Sequence, residues 1–316
     1  MGNDAVDITS RALLIINPRS RQGGTADIEA GLQKLLQAGI AVEKIAPNDA
    51  AQMEKEIAAR RNTIDFVIVG GGDGTISSTA QSLYRHRLAF AILPLGTAND
   101  LARSLGIPNN LEGAFDLIVS GNRRWIDLGS VNGHHFFNAC HIGLGVRITH
   151  ELTPELKKKL GVLSYCKAFM SALSKSGQFA VELNVDGVVY RKHALELTVG
   201  NGRYYGGGNV VHEDATVDDG LLRLSCIYPE SLWELLAMSR MIRKGQQKNA
   251  EKTFCISGHR ITVKTTFSME VHADGERATK TPAEFEIIPR ALEVFAPDEQ
   301  PSDVSLLEKV TRRVAG

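Results

Sequence analysis

Three short runs of consecutive apolar residues lie in the first hundred positions: Arg11-Ala-Leu-Leu-Ile-Ile16, Asp65-Phe-Val-Ile-Val69 and Ala89-Phe-Ala-Ile-Leu93. Each runs into a polar, glycine-bearing loop. Runs of this length without alternation predict strands buried on both faces, as in a parallel sheet. Between them the apolar positions switch to helical spacing: Ile28, Leu32, Leu35 and Leu36 ahead of a stop at Gly39, then a weaker set from Gln52 to Arg61, then Thr75 to Tyr84. Strand, loop and helix alternate, which predicts a doubly wound α/β domain with helices on both faces of the sheet. Ligands of such sheets sit at the carboxyl ends of the strands, where the three polar loops fall.

From about Ile126 the pattern changes. Phe179 to Val185, Ala194 to Val199, Leu221 to Ile227 and Arg260 to Lys264 alternate apolar and polar residues, with turns such as Asp186-Gly187 and Asp219-Gly220 between them. That is the signature of hairpins packed as a β-sandwich. Helical stretches at Glu155 to Ser174 and Pro229 to Gln246 interrupt it, and Asp303 to Val314 reads as a terminal helix. The expected division is an α/β domain over residues 1–130 and a β-rich domain over 131–291.

Composition narrows the partners. A chain of 316 residues fits two domains of ordinary size. Lys+Arg and Asp+Glu both total 36, so there is no basic excess of the kind that neutralises nucleic-acid phosphates. Cys140, Cys166, Cys226 and Cys255 are scattered, without the clustering of a disulfide scaffold or zinc site, and read as reduced cytosolic thiols. Met1 to Arg11 does not read as a signal peptide, and no stretch approaches the roughly 20 apolar residues of a membrane span.

The strongest chemical signal is Gly70-Gly71-Gly72-Asp73-Gly74-Thr75 after the second apolar run. Glycines let a backbone approach a ligand, and the helix that follows favours an anion at its start. Asp73 would repel a bare phosphate, so the loop points to a Mg²⁺-nucleotide. A tight glycine turn with a helix-capping aspartate fits the same letters. There is no Gly-Lys pair and hence no P-loop, and Gly143-Leu-Gly145 lacks the third glycine of a dinucleotide fingerprint. Leu93-Pro94-Leu95-Gly96-Thr97-Ala98-Asn99-Asp100 repeats the design on the next strand, and Asp127 adds a third carboxylate near the domain boundary. A shared cation explains three such aspartates at strand ends in one domain.

Asn17-Pro18-x-Ser20, Gly71-Gly-Asp-Gly-Thr75 and Leu93-Pro-x-Gly-Thr-x-Asn-Asp100, followed in order by Ile126-Asp-Leu-Gly129, Asp219-Gly-Leu221 and Asp274-Gly-Glu276, resemble the consecutive motifs of the diacylglycerol kinase catalytic domain. The resemblance spans nearly the whole chain. It implies a nucleotide-binding α/β domain joined to a β-sandwich, with ATP in the cleft between them and the C-terminal residues 292–316 packing back on the first domain. It further implies ATP contacts from Asn17, Pro18, Arg19, Ser20, Arg21, Gly71, Gly72, Asp73, Gly74, Thr75, Ile76, Ser77, Ser78, Gly96, Thr97 and Asn99. Asp73, Asp100 and Asp127 would form a carboxylate and water network around the catalytic Mg²⁺, and Asp274 would be the general base. Thr216, Asp219 and Leu221 resemble a separate structural Mg²⁺ site of two backbone carbonyls and one carboxylate. On its own, Asp274-Gly275 reads rather as a hairpin turn, and only the resemblance reverses that; Asp219-Gly220 reads equally as an exposed turn. Arg21 where relatives have glycine, and Ser77-Ser78 where they have Asn-Glu, depart from the pattern.

The function so implied is an ATP-dependent lipid kinase acting on a lipid alcohol such as diacylglycerol, phosphatidylglycerol or a sphingoid base. The protein would be cytoplasmic and would meet its substrate at the inner face of the membrane; homodimers are common among similar proteins. Basic amphipathic stretches at Lys157 to Phe169 and Leu232 to Lys248 are candidates for that contact, although surface helices packed on a domain share the pattern. An NAD kinase-like or other small-molecule kinase shares the glycine loop but does not account for Asp274-Gly-Glu276. A non-catalytic nucleotide-binding regulator would have no need of a base.

Overall fold

The computed structural model describes residues 7–17, 28–151, 177–205, 209–210, 215–229, 234 and 252–298. The first half runs β1 (Ser10–Ile16), α1 (Glu29–Gln37), β2 (Ile40–Ile45), α2 (Ala50–Arg60), β3 (Phe66–Gly71), α3 (Asp73–His86), β4 (Ala89–Pro94), α4 (Asp100–Ser104) and α5 (Leu111–Ser120). There follow β5 (Arg123–Val131), β6 (His134–Phe136), β7 (Ala139–Gly143) and α6 (Leu144–Glu151). The rest is β8 (Phe179–Val185), β9 (Val188–Ala194), β10 (Glu196–Gly200), β11 (Tyr204–Tyr205), β12 (Asn209–Val210), β13 (Leu222–Ile227), β14 (Thr253–Gly258), β15 (Arg260–Thr265), β16 (Glu270–Ala273), β17 (Glu276–Lys280) and β18 (Ala283–Phe295). The helices expected at Glu155 to Ser174, Pro229 to Gln246 and Asp303 to Val314 lie outside the described residues, apart from Pro229 and Glu234.

Strand burial follows the sequence pattern. β3 and β4, continuous apolar runs, are buried at every position, whereas β8 alternates. Local signals set helix starts: the Asp49 carboxylate accepts from Gln52 N ahead of α2, and the Asn110 side chain accepts from Gly113 N ahead of α5. The sequence reading passes over β2, α5 and β9. β2 and β9 are partly exposed edge strands whose charged positions hide any period, and α5 begins on an asparagine cap just after a proline.

β2, β1, β3 and β4 are parallel and adjacent in that order. The chain therefore winds outward in both directions from the β1–β3 pair, the point at which such sheets bind ligands. β18 lies beside β4 in parallel, with Val294 opposite Phe90, and pairs antiparallel with β5 and β15; β8 and β9 follow. One ten-stranded sheet thus runs through both halves of the chain. A six-stranded sheet, β14-β13-β10-β7-β16-β17, packs on its β-rich end. Cys140, Leu197, Leu224 and Val271 from the smaller sheet share a core with Val181, Leu183, Val263 and Phe285 from the larger one. Two further cores flank the parallel strands, one built on Leu13, Val67 and Phe90 and the other on Leu14, Ile68 and Phe115. The α/β plus β-sandwich architecture expected from the pattern is the one observed.

β18 changes register between Ile288 and Leu292, where Arg290 takes a positive φ of 49°. That break falls where the two halves meet, and it bears directly on one of the aspartates.

Candidate active site

β1, β3 and β4 end side by side, so their loops converge. Asn17 donates its backbone N–H to Gly70 O (3.0 Å) and its Nδ2 to Thr75 Oγ1 (3.0 Å), tying the end of β1 to the first turn of α3. Leu95 N donates to Gly71 O at 3.0 Å. A Cβ added at Gly96 would lie 2.5 Å from the Gly72 Cα, so the loops after β3 and β4 meet backbone to backbone and only glycine fits. At Gly74 a Cβ would meet nothing within 4 Å: the first turn of α3 faces open space. A glycine-lined hollow bordered by a helix N-terminus suits an anionic ligand.

Four carboxylates are linked by hydrogen bonds to the elements that form this hollow or to their neighbours. Asp73 opens α3, and its Oδ1 accepts from Asp100 N at 2.6 Å and from Leu101 N at 3.4 Å, capping α4. Its other oxygen makes no hydrogen bond among the described residues. Asp100, the first residue of α4, is 2% exposed. Asp127 on β5 is equally buried; its Oδ2 accepts from Gly220 N (2.7 Å) and its Oδ1 from Arg290 N (2.8 Å), at the break in β18. Burial pushes the Asp127 carboxyl up from its ordinary value, those two N–H groups pull it down, and Asp218 and Asp219 nearby raise it further.

Asp274 reaches the same place from the β16–β17 turn, where its φ is +48°. Its Oδ1 accepts from Asn138 N (2.9 Å) and Ala139 N (3.1 Å), and its Oδ2 from Phe137 N (2.8 Å) and Ser77 Oγ (3.0 Å). Burial raises its carboxyl above the ordinary value against all four donors. Ser77 sits four residues after Asp73 on α3, hence on the same helix face one turn away. Asn201, 2% exposed, completes the connection: its Nδ2 donates to both Asp127 O and Phe137 O at 3.1 Å. The aspartates at 73, 100, 127 and 274 are therefore joined through α3, α4, β5 and β7 by short hydrogen-bond paths.

Several residues expected at the nucleotide have other employment. Ile76 is 1% exposed within the core. Ser78 Oγ donates to Thr75 O inside its own helix. Asn99, at φ +51°, accepts from Gly96 N with Oδ1 and donates to Gly96 O and Asn109 Oδ1 with Nδ2, so its amide shapes the loop. Thr97 is exposed. Pro18, Arg19, Ser20 and Arg21 lie outside the described residues. Sequence reasoning missed Asn201, whose signal is a lone asparagine between glycines at the end of an apolar strand, and gave no structural role to Ser77.

Among the described residues no three His, Cys, Asp or Glu side chains form a ready-made metal cage. Asp73, with one open carboxylate oxygen, does fit a Mg²⁺ ion that brings phosphate and water ligands of its own, since that ion commonly takes only one or two protein carboxylates. The turn at Thr216, Asp219 and Leu221 does not fit one, because Arg223 already sits on the Asp219 carboxylate.

Residues 11–131 match the diacylglycerol kinase catalytic domain, and residues 140–296 the YegS C-terminal NAD kinase beta sandwich-like domain. The diacylglycerol kinase of Bacillus subtilis (strain 168) is 31% identical over 297 residues, covering 92% of this chain and 97% of the relative. That of Staphylococcus aureus (strain MRSA252) is 29% identical over the same length, covering 92% and 93%. Two crystal structures from Bacillus anthracis str. Sterne superpose with TM-scores of 0.76 (28% identity, covering 94% of this chain and 99% of that one) and 0.72 (26%, covering 92% and 97%). The second is described as a diacylglycerol kinase.

Proposed function

This chain belongs to the diacylglycerol kinase family, enzymes that place a phosphoryl group on a lipid hydroxyl, and from that premise we propose that it transfers the γ-phosphate of ATP, with Mg²⁺, to a lipid alcohol. Diacylglycerol, the acceptor in the names of its relatives, is the first candidate, ahead of phosphatidylglycerol and sphingoid bases. The observation that carries this reading is the meeting of Asp274, from the β-rich half, with Ser77, one helical turn from Asp73 in the glycine-lined half. A pure nucleotide binder has no use for a half-buried carboxylate lent across the cleft.

In this reading Asn17, Gly72, Gly74, Thr75 and Gly96 shape the bed for the ATP phosphates. Mg²⁺ would supply positive charge to the phosphate oxygens. Asp73 would hold it through the oxygen left open, with Asp100 and Asp127 as the further carboxylates beside it. Asp274 accepts the proton of the acceptor hydroxyl at Oδ2, the position where it now accepts from Ser77. The three backbone N–H groups fix the orientation of the carboxylate, and burial makes it a better proton acceptor than a solvated aspartate. No helix among the described residues is long and apolar enough to cross a membrane; because the proposed acceptor is a lipid, the enzyme would meet it at the membrane surface from the cytoplasm.

Phosphate transfer from labelled ATP to a panel of lipids in mixed micelles, with NAD as a control acceptor, tests the proposal. Phosphorylated lipid is expected, and Asp274→Ala should abolish it while ATP binding persists. Phosphorylation of NAD alone, or undiminished turnover in Asp274→Ala, overturns it.

A further inference from the structure

The turn before β13 folds around one carboxylate. Asp219 Oδ2 accepts from Thr216 N at 3.0 Å, and its Oδ1 accepts from Leu221 N at 3.0 Å. Relatives are expected to place a Mg²⁺ ion here, on the carboxylate and two backbone carbonyls. In this chain Arg223 reaches back from the second residue of β13. Its Nη2 lies 2.7 Å from Asp219 Oδ2, and its Nη1 lies 3.3 Å from Asp219 Oδ1 and 3.3 Å from the carbonyl oxygen of Leu221. One guanidinium therefore engages two of the three groups that would ligate the ion. The Arg223 side chain is shielded, at 12% exposure, while Asp219 is an exposed residue whose side chain is 22% exposed.

Lone pairs and charge both come out even. A carboxylate offers about four acceptor positions, and here two take backbone N–H groups and two take the guanidinium. An arginine stays protonated, and its fork matches a carboxylate on two atoms at once. The neighbouring Asp218 pairs with Arg124, so each acidic residue of the turn already faces its own arginine. A divalent ion entering this turn would have to expel a cation and would leave the turn over-charged.

We propose that Arg223 is the built-in cation of this turn, and that this chain clamps residues 216–221 without a divalent metal. The clamp matters because of what the turn holds: Gly220 N donates to Asp127 Oδ2, and Asp127 N donates to Val217 O at 2.7 Å. Arg223 thus acts as a positioning residue for an aspartate of the candidate active site. The inference rests on contacts within the turn and stands whether or not the lipid kinase reading holds.

The test uses the full chain without nucleotide, stripped of metal by chelation. Mn²⁺ equivalents are counted by electron paramagnetic resonance, and thermal midpoints are read with and without millimolar MgCl₂. For the wild type, Asp219→Asn should leave the number of Mn²⁺ equivalents unchanged, so any ion bound at Asp73 drops out of the comparison. Arg223→Gln should lower the metal-free midpoint, gain one Mn²⁺ equivalent and recover stability with MgCl₂, since a ligand of the native state alone stabilises it. Adding Asp219→Asn should remove that gain. Arg223→Lys, which keeps the charge and guards against a glutamine variant that fails to fold, should gain no site. A wild type that loses one Mn²⁺ equivalent in Asp219→Asn overturns the proposal, as does an Arg223→Gln chain that is as stable as the wild type without metal.

Discussion

Ser77 Oγ donates to Asp274 Oδ2 at 3.0 Å, joining two residues 197 positions apart in sequence and closing the cleft between the halves of the protein. With Asp274 as the proposed base, this is the contact an acceptor alcohol would make, and the other three acceptor positions on that carboxylate take backbone N–H groups. In the proposed reaction, lipid binding would displace Ser77 from Asp274. Ser77→Ala should leave kcat within about tenfold of wild type and lower KM for the acceptor, because the competing hydroxyl is gone. Asp274→Asn keeps the shape but cannot take a proton, and should lose about 10²–10⁴ in kcat. Steady-state kinetics on mixed micelles measure both; a Ser77→Ala enzyme as inactive as Asp274→Asn would show that the serine is itself required for chemistry.

The raised carboxyl of Asp274 gives this chemistry a pH signature. The base works ionised, so kcat/KM should fall as pH drops, with its midpoint above the ordinary aspartate value of about 3.9. In Ser77→Ala one of the donors that lowers the value is lost, and the acidic limb should move to higher pH. Stability runs in the opposite sense. The native state holds this proton more tightly than the unfolded chain, so the contribution of Asp274 is present below the unfolded value and is lost as pH rises through the native one. Urea unfolding across that window should show the slope in the wild type and a flatter one in Asp274→Asn.

Two glycines of the nucleotide loops should respond in opposite ways. A Cβ at Gly96 collides with the backbone of Gly72, so Gly96→Ala must push the loops apart, costing about 1–3 kcal/mol of stability as well as ATP affinity. A Cβ at Gly74 meets only open space, so Gly74→Ala should fold as well as wild type or better, with the KM for ATP raised about tenfold or more. Differential scanning calorimetry beside ATP titration separates the two. A Gly74→Ala enzyme with unchanged ATP affinity would mean that the nucleotide lies elsewhere.

What was legible in the sequence is what short-range physics controls. Buried parallel strands announce themselves as unbroken apolar runs, and the loops after β1, β3 and β4 follow from them. Asp73, Asp100 and Asp274 could be named because each lies in a glycine-bearing turn or at the helix start that follows one; Asp127, expected at a strand end, lies instead in the middle of β5. Which oxygen each uses, and on what, could not be read, since the partners lie far apart in sequence: Gly220 and Arg290 for Asp127, Phe137 to Ala139 for Asp274. Asn99 shows the same limit. Its letter suggests a ligand donor, yet its positive φ turns the amide back onto its own loop. Nor could the pattern show that β18 runs from the sandwich into the parallel sheet, because a change of register leaves no trace in alternation.

Asp127 is where these long-range contacts concentrate, and it yields the last prediction. Its carboxylate takes one N–H from the turn before β13 and one from the break in β18. Asp127→Ala strands both donors, at about 1–3 kcal/mol each. For a chain of this size each kcal/mol lowers the thermal midpoint by about 2–4 °C. Asp127→Asn should cost less, because its one remaining carbonyl oxygen still accepts a donor and the burial of a charge, which raises this carboxyl, is relieved. The ordering wild type, Asn, Ala should appear in calorimetry, and hydrogen exchange should quicken at the Gly220 and Arg290 amides before it does in β3 or β4. If Asp127→Ala matched the wild type in both measurements, the junction would be held by other contacts.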